Sequence, residues 1–82
     1  MPRYALGWSD AALDQYLTFT PERQHLIDTR IEQLLDTPDG AHCDHDRTTD
    51  HWTTTDTEGA GLIVYIFRVG QPRLVILRLV YY

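Results

Sequence analysis

Residues 61–81 read Gly61-Leu-Ile-Val-Tyr-Ile-Phe-Arg-Val-Gly-Gln-Pro-Arg-Leu-Val-Ile-Leu-Arg-Leu-Val-Tyr81, and this stretch decides the fold. It contains two apolar, β-branched runs joined by Gly70-Gln71-Pro72. Because β-branched and aromatic residues favour strands while Gly and Pro interrupt them, the stretch predicts a β-hairpin. The rest of the chain must then cover the apolar side chains of this hairpin.

Pairing of Val69 with Arg73 sorts the hairpin side chains onto two faces, since successive residues of a strand point in opposite directions. The predicted core face is apolar and aromatic, with Ile63, Tyr65, Phe67, Val75, Leu77, Leu79 and Tyr81. The other face mixes aliphatic side chains with arginines and contains Leu62, Val64, Ile66, Arg68, Leu74, Ile76, Arg78, Val80 and Tyr82. Aliphatic side chains on a sheet face without helices indicate a contact surface. The predicted binding residues on this face are Leu62, Val64, Ile66, Ile76 and Val80.

Two helices are predicted before the hairpin. Tyr4 to Trp8 alternates like a short strand, and Ser9-Asp10 then provides an N-cap and an acidic first turn for a helix that stops around Phe19. Thr20-Pro21-Glu22 is a second helix start, followed by apolar residues at helical spacing, and Thr37-Pro38-Asp39-Gly40 ends that helix. The short connection predicts an antiparallel helix pair that lies on the apolar face of the sheet.

A polar loop and one further strand complete the predicted order. Ala41 to Asp50 shows no apolar periodicity, whereas His51 to Thr57 is β-branched and aromatic. We therefore predict a single α+β domain over residues 1–82, in the order β-α-α-β-β-β, with two N-terminal helices packed on one face of a mostly antiparallel sheet.

Composition narrows the classes of function. The 82 residues include 7 basic side chains, all arginine, and 12 acidic ones, which gives a net charge of −5 and a pI near 5.1. This charge opposes unspecific nucleic-acid binding, although a local arginine cluster can still bind RNA. No signal-peptide pattern or bilayer-length apolar run is visible, so we expect a cytoplasmic protein without a membrane role.

The segment His42-Cys43-Asp44-His45-Asp46, with His51 nearby, contains residue types that bind metals. Its spacing matches no standard zinc pattern, and Cys43 is the only cysteine. The sequence therefore predicts a solvated loop with no metal site and no cofactor.

Three stretches together resemble a known family. They are Tyr4-Ala-Leu-Gly-Trp-Ser-Asp-Ala-Ala-Leu13, Arg30-Ile-Glu-Gln-Leu-Leu-Asp-Thr-Pro38, and the paired strands Leu62-Ile-Val-Tyr-Ile-Phe-Arg-Val69 and Leu74-Val-Ile-Leu-Arg-Leu-Val-Tyr81. In order and spacing they are similar to the RelE/ParE superfamily of toxins from bacterial type II toxin–antitoxin systems. The resemblance covers nearly the whole chain except the Ala41 to Asp50 loop.

The resemblance implies a toxin-like protein that is bound by a cognate antitoxin and acts on the translating ribosome, by cleaving mRNA, or on DNA gyrase. It places candidate catalytic residues at Arg68, Arg78, Tyr82 and His51. The position that matches the family's third-strand arginine is Leu62, and the second-strand region offers only Arg47 as a basic residue. Toxicity and enzymatic activity therefore stay open, and an inactive protein is one of the expectations.

A different class of function fits the same residues. A small binding protein or biosynthetic enzyme would use the aliphatic sheet face for an apolar small molecule, with Arg68, Arg78 or a tyrosine as its polar contact. A homodimer packed sheet to sheet is a further expectation for that face.

Overall fold

The computed structural model describes residues 3–68 and 70–81. Their elements are β1 (Ala5–Trp8), α1 (Asp10–Leu17), α2 (Pro21–Asp36), β2 (Asp44–Asp46), β3 (His51–Thr55), β4 (Gly61–Arg68) and β5 (Arg73–Tyr81). The strands form one sheet in the order β1-β5-β4-β3-β2, in which β1 is parallel to β5 and the other pairs are antiparallel. The predicted α+β class with two N-terminal helices is confirmed, and the short strand β2 lies inside the segment that was predicted to be a loop.

Both helices begin where the sequence places their caps. The Ser9 hydroxyl accepts a hydrogen bond from the Ala12 N–H at 3.1 Å, and the Thr20 hydroxyl accepts one from the Arg23 N–H at 3.3 Å. Pro21 occupies the first turn of α2, where its missing N–H leaves no bond unmade. The capping predictions are therefore confirmed for α1 and α2.

The core lies between the helices and one face of the sheet. Its buried members are Ala12, Ile27, Ile31, Leu34, Leu35, Ile63, Tyr65, Leu74, Ile76 and Leu79. Aromatic rings enclose this cluster at its margin, where the Tyr4 and Phe67 rings meet edge to face at 5.6 Å and those of Trp52 and Phe67 approach to 5.2 Å. Burial of this apolar surface is the main favourable term in folding such a small chain.

The hairpin register shifts by one residue in the middle of the β4–β5 pair. Val64 lies opposite Arg78, but the next residue, Tyr65, lies opposite Ile76, so Leu77 is an extra residue in β5. A bulge of this kind inverts the alternation of side chains beyond it. The predicted faces are therefore confirmed along β4 and at the end of β5, from Arg78 onward. They are not confirmed in the first half of β5.

The prediction was wrong for Leu74, Val75 and Ile76. Leu74 and Ile76 are fully buried in the core, whereas Val75 lies with the arginines on the opposite face. Ile76 is consequently not a binding residue of that face. The Val69–Arg73 pair from which the register was predicted falls partly outside the described residues, because Val69 is not among them.

Helix α1 takes the place of a strand along the second half of β5. Where β1 ends, the Ser9 hydroxyl donates to the Leu77 carbonyl at 2.6 Å, so the helix cap also satisfies the backbone of the bulge. One turn later, the Gln15 side chain donates to the Leu79 carbonyl at 2.6 Å and accepts from the Leu79 N–H at 2.9 Å. These side chains satisfy backbone groups that an unpaired strand edge would leave open.

A buried carboxylate organises the turn between β3 and β4. Asp56 is fully buried and accepts from the N–H groups of Glu58 at 2.9 Å and Ala60 at 3.0 Å and from the Tyr81 hydroxyl at 2.8 Å. The Tyr81 ring lies directly over Gly61, where any Cβ atom would overlap it, so this position requires glycine. Burial alone would raise the pKa of Asp56, but these hydrogen bonds together hold it below its usual value.

We predict that Gln15→Ala lowers the free energy of unfolding by about 1–3 kcal/mol, because it removes both hydrogen bonds to Leu79. Gln24→Ala is the matched control, since the Gln24 side chain donates only one hydrogen bond, to the Tyr16 carbonyl. Urea denaturation followed by circular dichroism measures both. An equal loss in the two variants would contradict a strand-like role for Gln15.

A second prediction concerns pH. Because the pKa of Asp56 is lower in the folded state than in the unfolded chain, its stabilising contribution is present above about pH 4 and is lost as the pH falls through the folded value. Asp56→Asn removes that contribution, so its unfolding free energy should depend less steeply on pH below about pH 4 than that of the wild type. Asp14→Asn, on the exposed side of α1, provides the control. If the unfolding free energies of wild type and Asp56→Asn vary with pH in parallel, the stabilising role assigned to the Asp56 carboxylate is contradicted.

Candidate functional site

The face of the sheet that points away from the core carries the predicted binding residues except Ile76. Leu62, Ile66 and Val80 are half-buried, and Val64 is only 6% exposed because β4 is the central strand. The aliphatic row is therefore less open to water than the sequence suggested. We call this surface the outer face, comprising the outward side chains of β3, β4 and β5.

A cleft of about 300 Å³ opens on the outer face near the β4–β5 turn. His51 from β3, Arg68 from β4 and Arg73 from β5 line it. Ile66 and Val75 add an apolar component to the lining. The sheet thus brings three basic side chains from three strands to one concave site, which we call the basic cleft.

The two arginines of the basic cleft have no carboxylate partner among the described residues. Among the described residues, the ion pairs involve Arg3 and His45, and none includes Arg68 or Arg73. Asp50 also lines the cleft, but its carboxylate is bound by the His45 ring at 2.8 Å. In a chain with a net charge of −5, this cluster is a local exception.

Gly7 in β1 provides room for Arg73. A Cβ atom at Gly7 would come within 3.2 Å of two guanidinium nitrogens of Arg73, so this side chain lies across the neighbouring β1 backbone. A larger residue at Gly7 would push the guanidinium away from this position. Because β1 flanks β5 on the side opposite to β4, the Arg73 guanidinium lies at the β1 margin of the cleft.

The structure brings together only part of the predicted catalytic set. His51 and Arg68 share the basic cleft. Arg78 lies opposite Val64 in the sheet, and Val64 is four residues before Arg68 in β4. That separation corresponds to roughly 13 Å along the strand, so Arg68 and Arg78 do not converge on one small anion. Tyr82 lies outside the described residues.

Sequence reasoning missed Arg73 because of the bulge. With the unbroken register, Arg73 shares its parity with Val75 and falls on the predicted core face. Once Leu77 is counted as an extra residue, the same alternation places Arg73 and Val75 on the outer face. The predicted register puts Arg73 on an otherwise apolar core face, and this conflict was the signal that the register was wrong.

Tyr81 and Tyr16, which pack against the core, do not serve as bases. Burial raises the pKa of Tyr81, and the adjacent Asp56 carboxylate, which accepts its hydroxyl proton, raises it further. Burial likewise raises the pKa of Tyr16 to about 12, with Asp28 as its hydrogen-bond partner at 2.8 Å. Both phenols therefore stay protonated and are engaged within the fold.

The histidine-rich segment forms local contacts. His45 stacks on Trp52 with ring centroids 4.7 Å apart in addition to binding Asp50, and Cys43 is a half-buried free thiol. Within residues 3–68 and 70–81, no group of three or more His, Cys, Asp or Glu side chains is arranged to hold a metal ion.

The basic cleft is suited to binding an oxyanion. Guanidinium groups form paired, charge-assisted hydrogen bonds with phosphate or carboxylate, and Arg68 and Arg73 present two of them. His51 supplies an imidazole, the side chain that most often serves in proton transfer. The arrangement can hold a phosphate and stabilise added negative charge, with one side chain for proton transfer.

We predict that Arg68→Gln and Arg73→Gln each weaken the binding of inorganic pyrophosphate about tenfold, because each removes a charge-assisted contact. Arg78→Gln, which makes the same change of charge on the same face outside the cleft, should change the dissociation constant by less than about twofold. Titration calorimetry at low salt measures all three. Equal weakening by Arg78→Gln would contradict the location of the site.

None of the helices in the described residues is long and apolar enough to cross a membrane. No protein-family model matches the chain, and no curated protein does so.

Proposed function

We propose that this chain is a toxin-like protein of the RelE/ParE type, from a type II toxin–antitoxin system, and that the basic cleft binds the phosphate backbone of RNA at the ribosome. The order of a first strand, two helices and an antiparallel sheet supports the proposal, together with the motifs that resemble the family. In this reading β2 is an addition to the RelE/ParE-like arrangement.

The observation that carries the proposal is that His51, Arg68 and Arg73 line one cleft on a sheet face without helices. Because the whole chain is acidic, long-range forces repel a polyanion, and binding depends on contacts inside the cleft. RNA held elsewhere in a larger assembly, such as the ribosome, supplies the local concentration that free RNA lacks.

The contents of the cleft favour binding over rapid cleavage. Attack by a ribose hydroxyl on the adjacent phosphate needs a proton acceptor, a proton donor and positive charge around the phosphorus. Arg68 and Arg73 provide the charge, and His51 provides one proton-transfer group. We therefore expect the protein to block translation with slow or no cleavage of mRNA, and DNA gyrase is the alternative target.

The outer face also suggests how an antitoxin would bind. Leu62, Ile66 and Val80 are half-buried and lie on the face that carries the arginines. An antitoxin segment with apolar and acidic side chains would cover the aliphatic row and neutralise the cleft, with each Å² of apolar area buried contributing about 25 cal/mol. A second copy of this chain would cover the row but bring like charges together, which disfavours a homodimer through this face.

A second function is favoured by the size and lining of the cleft. Its volume of about 300 Å³ is at the lower end of the range for small-molecule sites, and Ile66 and Val75 provide apolar contacts beside the two arginines. A binding protein or enzyme for a small apolar molecule with a phosphate or carboxylate group would use the same residues.

Inhibition of protein synthesis tests the proposal. We predict that the purified protein reduces translation in a bacterial extract, that Arg68→Gln combined with Arg73→Gln abolishes this effect, and that Arg78→Gln retains it. Primer extension on the mRNA separates blocking from cleavage, and rapid codon-dependent cuts would contradict the expected slow chemistry.

Two other results would indicate a different target or function for this chain. DNA-damage signalling on expression, without loss of translation, would identify gyrase as the target instead of the ribosome. A protein that leaves both translation and growth unaffected, yet binds a phosphorylated or carboxylated small molecule through Arg68 and Arg73, would reject the toxin function in favour of the second one.

A further inference from the structure

A second cavity lies between the second half of α2 and the segment that follows it. Its volume is about 320 Å³. Arg30, Gln33 and Leu34 line it from the helix, and Ala41, His42 and Cys43 line it from the following segment. We call it the α2 cavity.

The wall formed by the segment after α2 is fixed by the sheet. The buried Tyr65 hydroxyl donates a hydrogen bond to the Pro38 carbonyl, and the Thr54 hydroxyl donates to the His42 carbonyl at 2.9 Å. In the same segment, the Cys43 N–H donates to the Gly40 carbonyl at 3.1 Å. Since core side chains hold both ends of the segment, the α2 cavity is pre-formed and a ligand would not have to order it.

Arg30 has hydrogen-bonding capacity that the fold does not use. Its Nη1 donates to the Gln33 side-chain oxygen at 3.0 Å, but its buried Nε finds no acceptor among the described residues. A buried donor without a partner is unfavourable, and such groups are rare in folded proteins. Arg30 also lines the α2 cavity, and a guanidinium in contact with a bound anion donates paired, charge-assisted hydrogen bonds.

The lining of the α2 cavity contains one permanent cation, Arg30, and one carboxylate, that of Asp36. Its one acidic lining residue, Asp36, is paired with the Arg3 Nε at 2.8 Å. The same Arg3 side chain also binds Glu32 at 2.6 Å, so it engages both of these carboxylates of α2. Arg30 makes no ion pair within the described part of the chain, and its positive charge is available to a ligand.

We propose that the α2 cavity is a binding site for a small organic carboxylate, with Arg30 as the anchor for the carboxylate and Leu34 and Ala41 in contact with the apolar part. This site uses none of the residues of the basic cleft, so it does not depend on the function proposed for that cleft. The volume suits a molecule of the size of a small aromatic acid.

Titration of ¹⁵N-labelled protein with benzoate tests the proposal, with inorganic phosphate as the comparison. We expect saturable shifts of the Arg30 Nε–H signal and of the backbone amides of residues 40–43. Benzoate should bind more tightly than phosphate, because only benzoate has an apolar ring. Arg30→Gln should weaken benzoate binding about tenfold, whereas Arg47→Gln, with the same change of charge at an exposed position, should leave it unchanged.

Thermal unfolding adds a readout that separates binding from structure. Because the Arg30 Nε has no acceptor in residues 3–68 and 70–81, Arg30→Gln should keep the melting temperature of the ligand-free protein or raise it. Ala41→Trp, which fills the cavity from an exposed position without altering Arg30, should block benzoate and keep the fold.

Three outcomes would overturn the proposal: shifts confined to the basic cleft, unchanged benzoate affinity in both Arg30→Gln and Ala41→Trp, or no saturable shift with benzoate. If Arg30→Gln fails to fold, Ala41→Trp alone decides between these results.

Discussion

The extra residue at Leu77 is the constraint on which the rest of the structure depends. It shifts the β4–β5 register by one, so that Leu74 and Ile76 enter the core while Val75 turns outward. The bulge coincides with the end of β1, where the Ser9 hydroxyl binds the Leu77 carbonyl. A single local irregularity therefore selects the core residues of β5, receives the start of α1 and places Arg73 at the basic cleft.

Polar groups at the borders of the sheet are satisfied by side chains, because the strands alone cannot pair them all. Gln15 supplies both a donor and an acceptor to Leu79 where β1 no longer runs beside β5. Asp56 collects the N–H groups of its own turn and the Tyr81 hydroxyl. In a domain this small, each buried polar group left unpaired would remove a sizeable part of the net stability. The Nε of Arg30, which has no partner among the described residues, is therefore a candidate contact for a ligand.

The arginines of this chain differ in whether the fold engages them. Arg3 pairs with two carboxylates of α2, and Arg23 lies 4.4 Å from the centre of the Tyr81 ring. Arg68 and Arg73 are instead gathered without carboxylate partners, among the described residues, on a sheet face without helices. Such uncompensated charge in a concave site is the arrangement expected for recognition of a phosphate or carboxylate.

The sequence by itself determined the α+β class, both helix starts and most of the hairpin, because caps, turn residues and apolar periodicity act over a few neighbouring residues. It also placed Arg68 on the outer face, since β4 alternates regularly. It did not predict the bulge, the placement of Ile76 and Arg73, or the strand β2. Only the tertiary structure decided these, because the register of β5 depends on where β1 ends and α1 docks, and those residues lie more than sixty positions away in the chain.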